Sequence, residues 1–408
     1  MKNISTLFSI ILLCTGIILL GLLAKTYTYE HTRPESSPVI FRDFPNQPQT
    51  DTAENLDTSA LKNICPLIRL SFTGDIMQHH RQMHDDFQAS YAALKPVLDR
   101  HDLSLGMMEF PVDPDKPAGP PPHSVQFNGS PAHLQALKDS GFDLLNLSNN
   151  HSLDQGVDGA LRTLTEVEKH GLEGVGIGSK TKTRTPQYIT VNGRKLAFAS
   201  FSIQPNSYPD ETGDIAYWPK DAPIHELNFY NWNGLYREKG RKLFREYVQN
   251  AEKDRADFKI ALLHWGDEWD FTPNEEQKRA AHDMIDAGFD MVIGSHGHVL
   301  NGLEVYKNKL IAYSLGNLIS DFVETKVRSA AVLSVALSEQ KDGTLALFSF
   351  SAIPTLTHRE KNHPVTPLTT PSKGREEQKA LANARHILGK NVLDDWEKQL
   401  VEPCIRNN

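Results

Sequence analysis

The sequence predicts an α/β fold, with one large domain and additional segments at both ends. Three observations support this prediction. The chain has 408 residues, of which 39% are apolar, so it can bury a large core. Apolar runs of strand length alternate along the chain with segments of helical periodicity. The segments at the two ends do not share this alternation.

The elements of the domain follow in order along the chain. The first strand is expected in IRLSFTGDIM, and LSLGMMEFPVD contains the second. A helix in SPAHLQALKDSG leads into the strand FDLLNLS, and VDGALRTLTEVEKHG is an amphipathic helix that ends at Gly171. Four further apolar strands are expected in KLAFASFSI, FKIALLHWGDEW, FDMVIGSHGHV and KLIAYSLGNLI. The important polar clusters fall at the carboxyl ends of such strands, the edge where open α/β sheets bind ligands, so we expect them to share one site.

The N-terminus predicts a membrane anchor in residues 1–25. Residues 7–24 are an uncharged apolar run between Lys2 and Lys25, long enough to cross a bilayer core of about 30 Å as a helix. The run ends in GLLAK, which is a poor cleavage site for a signal peptide. We therefore expect an uncleaved, single-pass anchor in the cell membrane with the rest of the chain outside the cytoplasm. A secreted or periplasmic protein, released by signal cleavage, is the alternative.

Polar segments flank the predicted domain, which comprises residues 67–360. Residues 26–66 are rich in Pro, Thr, Ser, Asn and Asp and predict a flexible stalk. Residues 361–408 predict a linker followed by a helical tail. Cys65 and Cys404 lie in these flanks, and in an oxidising compartment they either form a disulfide or remain two separate thiols.

Charge and composition restrict the partners. The formal net charge is −8, which argues against nucleic acid because phosphate backbones need a surplus of Lys and Arg. The basic stretch 236–247 is more typical of a solvated helix face than of a polyanion site. Residues 204–236 are rich in Tyr, Trp, Asn and Pro, and they either form a wall over the site or pack on their own domain.

Histidine, carboxylate and asparagine side chains lie at the ends of the predicted strands. They are Asp75, Glu109, Asn150, His151, His264, His296 and His298. Such mixed nitrogen and oxygen ligands suit one or two divalent ions such as Zn²⁺, Mn²⁺ or Fe²⁺. Gly297 separates two of the histidines and permits a tight backbone, so each imidazole can face one of two adjacent ions. Any one of these residues alone could have a structural role instead of binding a metal. Their clustering at successive strand ends favours a metal site. Asp154 fits either a carboxylate that orients an imidazole or a helix cap.

Five segments then resemble, in order, the bacterial capsule synthesis proteins of the CapA type, also called the poly-γ-glutamate biosynthesis family. The segments are TGDIM, MEFPV, GFDLLNLSNNHSLDQGVDGALRTL, LLHWGDEW and AGFDMVIGSHGHVLNGLEVYKNKLIAYSLGNLI. The resemblance covers about residues 67–322. That family is in turn similar to the calcineurin-like metallophosphoesterases. The resemblance therefore implies a metallophosphoesterase-like four-layer αββα sandwich with a site for two metals.

The resemblance also implies roles for the site residues. One metal would be held by Asp75, Glu109 and His298. The other would be held by Glu109, Asn150, His264 and His296. His151 would be the general acid near the leaving group, and Asp154 its orienting partner.

One position departs from the phosphoesterase pattern. Those enzymes have a histidine two residues after the first aspartate, where this chain has Met77, and a thioether is a poor ligand for such ions. His79 or His80 either reaches the site instead or lies on the surface.

The combined interpretation is a membrane-anchored CapA-like protein that takes part in the synthesis or export of a capsule or poly-γ-glutamate-type surface polymer. It would act as a metal-dependent hydrolase that cleaves a phosphoester or an amide through a metal-activated water. The alternative is a non-catalytic component that binds the polymer and supports capsule assembly. Met77 favours the alternative, whereas the otherwise complete ligand set favours the hydrolase. Expected partners are the membrane, an anionic or other surface polymer, and capsule synthesis proteins.

Overall fold

The computed structural model describes residues 67–119, 126–178, 186–203, 206, 232–372, 374–393 and 395–396. The predicted anchor and stalk, most of the aromatic segment 204–236, and both Cys65 and Cys404 lie outside these ranges. Every helix within them is too short or too polar to cross a bilayer.

The described residues form fourteen β-strands and seven α-helices. The strands are β1 (Ile68–Ile76), β2 (Leu103–Met108), β3 (Leu144–Asn146), β4 (Glu173–Val175), β5 (Gln187–Val191), β6 (Arg194–Ser202), β7 (Phe258–His264), β8 (Met291–Ser295), β9 (Leu303–Tyr306), β10 (Lys309–Ala312), β11 (Asn317–Ile319), β12 (Ser329–Glu339), β13 (Leu345–Thr357) and β14 (Val365–Pro367). The helices are α1 (Phe87–Tyr91), α2 (Lys95–Leu98), α3 (Pro131–Asp139), α4 (Gly156–Lys169), α5 (Gly234–Lys253), α6 (Glu275–Ala287) and α7 (Arg375–Leu388).

These strands form two sheets. The first has eight strands, in the order β14-β13-β12-β1-β2-β3-β4, with β11 paired to the end of β1. The second has six strands, in the order β5-β6-β7-β8-β10-β9. Strands β1 to β4 are parallel to one another, and so are β6, β7, β8 and β10. Within each parallel set, the carboxyl ends therefore meet at one edge of the sheet.

Three hydrophobic cores arrange the sheets and helices in four layers. The central core lies between the sheets and takes Phe72 and Leu105 from the first and Phe198 and Leu262 from the second. Helices α1 to α4 cover the outer face of the first sheet. Helices α5 and α6 cover the outer face of the second. Because strand side chains alternate between faces, each strand can supply both an inner and an outer core. The prediction of an α/β sandwich built from two sheets is confirmed.

Helix α6 shows how local sequence determines the position of a functional strand. The helix begins with a capping box in which the Asn274 side chain accepts from the Gln277 N–H at 2.8 Å and the Gln277 side chain accepts from the Asn274 N–H at 2.9 Å. It ends at Gly288, whose φ of 117° is the left-handed conformation that stops a helix. The chain then enters β8 only three residues later, which brings His296 and His298 to the edge of the sheet.

Candidate metal centre

Six buried side chains from both sheets meet at the carboxyl ends of the parallel strands. From the first sheet they are Asp75 within β1, Glu109 directly after β2, and Asn150 after β3; from the second they are His264 at the end of β7, and His296 and His298 after β8. Each is exposed by 3% or less. The structure thus brings together all six residues that the sequence proposes as metal ligands.

One group of ligand atoms gathers around His264. Its Nε2 lies 2.7 Å from Asn150 Oδ1, 3.0 Å from His296 Nδ1 and 3.5 Å from Glu109 Oε1. Ligands that each lie about 2.1 Å from one ion are about 3.0–3.4 Å apart in octahedral or tetrahedral shells. The spacing around His264 therefore fits a single cation.

A second group gathers around His298. Its Nδ1 lies 3.6 Å from Asp75 Oδ2, and its Nε2 lies 3.7 Å from Glu109 Oε1. Glu109 therefore borders both groups, which fits a carboxylate shared between two ions. Other combinations also converge, because ligand atoms of Glu109, His296 and His298, and those of Asp75, Glu109 and His264, lie within 4.8 Å of one another.

Hydrogen bonds set the tautomers of two of these histidines. The Ser295 hydroxyl donates to the carbonyl of Leu263 at 3.0 Å, so it accepts from His264 Nδ1 at 3.0 Å. The Asn317 amide donates to the carbonyl of Val327 at 2.9 Å, which leaves its oxygen to accept from His298 Nδ1 at 2.9 Å. Each ring consequently turns the lone pair of Nε2 towards the site, as metal-binding imidazoles do.

Acceptors face one another in this centre without donors between them. Among the described residues, both carboxylate oxygens of Glu109 and Oδ1 of Asp75 are buried without a hydrogen-bond partner. The lone pair of His264 Nε2 faces the Asn150 oxygen, because the Asn150 amide nitrogen donates to Asn206 at 3.1 Å. Unpaired buried acceptors are costly, and a bound cation would satisfy all of them at once. The residues present therefore fit a divalent metal.

The protonation states of the side chains in this centre also suit metal binding. Burial lowers the pKa of His264 and His296, so both imidazoles are neutral and their ring nitrogens can bind a metal. Burial favours the neutral acid at Glu109, but its interactions with the neighbouring imidazoles of His298 and His264 outweigh burial and lower its pKa below the ordinary value. Burial and the charge of Glu109 raise the pKa of Asp75 well above its ordinary value. Two carboxyl groups here compete for one negative charge, which a cation would relieve.

His151 and Asp154, which the sequence proposes as catalytic residues, form a pair beside this centre. His151 Nδ1 lies 2.7 Å from Asp154 Oδ2, which also accepts from the backbone N–H of Phe127 at 2.7 Å. Burial lowers the pKa of His151, but the hydrogen bond to Asp154 and the charges of Asp154 and Glu109 together outweigh burial, and the net pKa is raised. The geometry matches a carboxylate that orients an imidazole rather than a helix cap.

The backbone around the histidine pair corrects one expectation. The positive φ values belong to His296 (88°) and His298 (53°), and Gly297 is not among the residues with positive φ. A Cβ at Gly297 would meet its nearest neighbour, Asn301 Nδ2, at 3.5 Å, which is an ordinary contact. The histidines themselves thus adopt the uncommon conformation, which is often found where function requires it.

The structure places the three candidate residues that follow Asp75 in different surroundings. Met77 is buried in the apolar core under the helices, and His80 is exposed. His79 is half-buried beside Phe322, and burial lowers its pKa to about 4. The hydrogen bonds described above hold the predicted site residues in place. They come from three residues to which the sequence assigns no role: Asn206, Ser295 and Asn317. For Asn317 the only signal in the sequence is its place in SLGNLI, at the end of an apolar run.

Comparisons with known proteins identify the family of this chain. Residues 69–322 match the family described as "Bacterial capsule synthesis protein PGA_cap". The PGA biosynthesis protein CapA of Bacillus subtilis is 30% identical over 286 residues, which are 68% of this chain and 69% of that protein. The capsule biosynthesis protein CapA of Bacillus anthracis is 27% identical over 291 residues, 69% of this chain and 66% of that protein.

Among solved structures, the sulfate thiohydrolase SoxB of Thermus thermophilus aligns with a TM-score of 0.39 and 14% identity, covering 74% of this chain and 45% of that chain. The family match covers more than half of the 408 residues and includes every residue of the metal centre. The chain therefore belongs to the bacterial capsule synthesis protein PGA_cap family.

Proposed function

We propose that this protein is a metal-dependent hydrolase that takes part in the synthesis or export of a bacterial surface polymer of the capsule or poly-γ-glutamate type. The observation that supports the hydrolase most strongly is the Glu109 carboxylate, buried between two groups of histidines with both oxygens unpaired. The named roles of the Bacillus relatives in PGA and capsule biosynthesis support the polymer. In this proposal residues 1–25 anchor the chain in the membrane, and the domain lies outside the cytoplasm.

The ligand atoms divide between two positions. Asp75, Glu109 and His298 would hold one ion, and Glu109, Asn150, His264 and His296 would hold the other. Two bound divalent ions such as Zn²⁺, Mn²⁺ or Fe²⁺ would supply Lewis acidity, which lowers the pKa of water and stabilises negative charge in the transition state. This arrangement resembles the metallophosphoesterases.

His151 provides the acid of the proposed reaction. The hydrogen bond between its Nδ1 and Asp154 fixes the ring, and the raised pKa helps the ring to keep a proton near neutral pH. Its Nε2 lies 3.1 Å from the Asn206 amide, and the leaving oxygen or nitrogen of a substrate would replace that contact. The leaving group would then take its proton from Nε2.

Two aromatic rings lie beside the centre, and the exposed one would contact a polymer. Phe127 is buried with its ring 4.4 Å from that of His151, and the ring of Trp269 lies 5.1 Å from that of His298, measured between centroids. Trp269 is 39% exposed, so its ring is accessible from solvent. Such rings offer flat, partly apolar contact surfaces that suit sugars and extended peptides.

The hydrolase is tested with the purified full-length chain, loaded with Mn²⁺ or Zn²⁺ and given either γ-linked glutamate oligomers or bis(p-nitrophenyl) phosphate. We expect metal-dependent cleavage of one of the two, and a loss of about 100-fold or more in Glu109→Gln. Glu166→Gln is the matched control, because Glu166 is also buried but pairs with Lys169 at 3.0 Å on α4. Equal cleavage by unaltered protein and Glu109→Gln would contradict the proposal.

The buried position of Met77 favours a second candidate function. The phosphoesterases have a metal-binding histidine where this chain has Met77. The first ion would therefore have one ligand fewer in this chain. A metal-loaded chain that binds γ-linked glutamate oligomers but cleaves neither substrate would support a non-catalytic, polymer-binding role in capsule assembly.

A further inference from the structure

His79 lies four residues after Asp75, where the chain leaves β1. Its backbone N–H donates to the Gln82 side chain at 2.8 Å, which holds the turn that follows. Its ring lies 5.7 Å from Phe127 and 4.8 Å from Phe322, measured between centroids. Those two rings contact the residues of the site, since Phe127 lies 4.4 Å from His151 and Phe322 lies 5.5 Å from His298. His79 is thus placed between the proposed acid and one of the metal-binding groups.

A backbone hydrogen bond determines which nitrogen of His79 bears the proton. The N–H of Asp321 donates to His79 Nδ1 at 3.0 Å, so Nδ1 offers its lone pair. The hydrogen of the neutral ring then lies on Nε2. None of the described residues accepts a hydrogen bond from this Nε2–H. Within the part of the chain that the structure describes, the ring thus has a donor without an acceptor, next to the two aromatic rings that contact the site.

A network of charged groups fixes the segment that orients His79. The Asp321 carboxylate accepts from Arg359 Nε at 2.9 Å, lies 3.2 Å from His363 Nε2, and forms an ion pair with Arg81 at 3.4 Å. Asp321 and Arg359 are both partly buried, which strengthens their attraction relative to an exposed pair. This anchoring fixes the backbone N–H that sets the tautomer of His79. It also fixes Phe322, the next residue, against the His79 ring.

We propose that His79 is a substrate-positioning residue, whose Nε2–H donates a hydrogen bond to an oxygen of the anionic group that binds at the metal centre. This inference rests on the proposed function, since it requires an oxyanion of a phosphoester or a tetrahedral species at the ions. Metal ions would bind some oxygens of such a group and leave at least one other oxygen free to accept a hydrogen bond. A neutral imidazole donor held by its other nitrogen adds a directional contact. His79 is not a metal ligand in this arrangement.

The test uses inorganic phosphate as the probe and the full-length chain loaded with Mn²⁺. Elemental analysis gives the metal content, and calorimetry gives the Kd for phosphate. His79→Ala should keep the metal content of the unaltered protein and raise the Kd by about tenfold or more, because the hydrogen bond is made to a charged group. His79→Gln retains an N–H donor and should recover much of the affinity. His80→Ala, a change in the exposed neighbouring histidine, is the matched control and should leave the Kd unchanged.

The outcomes separate this inference from the proposed function. Unchanged phosphate affinity in His79→Ala would overturn the inference, and so would loss of metal from that variant, because His79 would then be a ligand. A metal-loaded, unaltered chain that binds no phosphate would overturn the inference and leave the metal centre in place. Failure of the unaltered chain to take up metal would overturn the proposed function and the inference with it. His79→Gln provides the comparison if His79→Ala does not fold.

Discussion

At the scale of single residues, Glu109 dominates the energetics of the site. Its carboxylate is buried, bears a negative charge in the metal-free protein, and has no donor among the described residues for either oxygen. Buried acceptor atoms without hydrogen bonds are rare in folded proteins. Functional sites often retain such groups because a ligand satisfies them. The presence of a buried glutamate at residue 109 is thus explained by cation binding and not by a contribution to folding.

Glu109→Gln should therefore reduce metal content and lower the free energy of unfolding mainly when metal is bound. In the presence of a chelator the substitution should change the free energy of unfolding much less, because no cation is then bound to be lost. Urea unfolding with and without chelator measures this, with Glu166→Gln as the paired control. A strong loss of stability in the chelated variant would show that Glu109 has a structural role instead.

Asp154→Asn tests the paired residues His151 and Asp154. Catalysis that needs protonated His151 is present below the pKa of that ring and is lost as pH rises through it. Because the hydrogen bond to Asp154 raises this pKa, the amide should move the alkaline loss of kcat to lower pH. The pH profile of kcat for the two proteins measures the shift. If kcat falls at the same alkaline pH in both, His151 is not the acid that Asp154 orients.

Residue types and positions revealed the six candidate ligands, but not the groups that orient them. Asp75, Glu109 and His264 follow apolar runs, and the sequence shows that directly. Asn206 meets His151 across 55 residues, and Asn317 meets His298 across 19. Such contacts depend on how the two sheets pack, so no local pattern predicts them. The tautomers of His264 and His298 were unpredictable for the same reason.

At the scale of elements, the site depends on how closely its strands approach one another. Gly74 in β1 lies against the segment that leads into β11, and a Cβ there would lie 2.0 Å from the carbonyl oxygen of Gly316. No flexible side chain can absorb that overlap, because the obstacle is backbone. Asp75 follows directly, and its N–H donates to the same carbonyl at 2.8 Å. The absence of a side chain at residue 74 thus sets the position of the first aspartate.

Gly74→Ala should accordingly destabilise the protein by about 2 kcal/mol or more and lower its metal content, since the strands must separate. Gly374→Ala, at the start of α7, is the control, because its Cβ would come no closer than 3.7 Å to a neighbour. This control substitution should lower the free energy of unfolding by less than about 1 kcal/mol. Thermal unfolding and elemental analysis of both variants test this, and equal effects would refute it.

His133 on α3 should make the packing of helices on the first sheet sensitive to acid. It is fully buried, bonded to the Tyr91 hydroxyl at 2.7 Å and stacked on Phe87, and burial lowers its pKa to about 3. An unfolded histidine has a pKa of about 6.5, so between these values the unfolded state binds more protons. Stability should therefore fall by about 1.4 kcal/mol per unit as pH drops below about 6.5.

His133→Gln should remove this part of the pH dependence, because an amide does not titrate in the range. Urea unfolding at pH 7.5, 6 and 5 gives the slope for each protein. The difference between the two slopes isolates His133 from other buried histidines, such as His101. Identical slopes would contradict the assignment of a neutral, buried ring.

The parallel strands were easier to predict than the antiparallel ones. Strands β7 and β8 each contain a continuous apolar run, as expected for strands buried on both faces. The two longest strands, β12 and β13, fall outside the predicted elements. Strand β12 is rich in Ala and Ser, and β13 contains Pro354, both of which argue against strands by propensity. Pairing of β13 with β12 and β14 overrides that preference.

At the scale of the whole molecule, the candidate centre joins the two sheets. Asp75, Glu109 and Asn150 belong to the first sheet, whereas His264, His296 and His298 belong to the second. A cation at this position would bind the native arrangement and not the separated strands. Metal should therefore stabilise the fold in proportion to its free concentration, by about 4 kcal/mol at a thousandfold excess over Kd.

The most direct test is the metal content of the purified full-length chain, measured by elemental analysis beside a variant with both His296→Ala and His298→Ala. We predict about two divalent ions per chain in the unaltered protein and their loss in the double variant, whose far-ultraviolet circular dichroism should remain unchanged. No bound metal, and no uptake after incubation with Zn²⁺ or Mn²⁺, would contradict the metal centre and the hydrolase proposed from it.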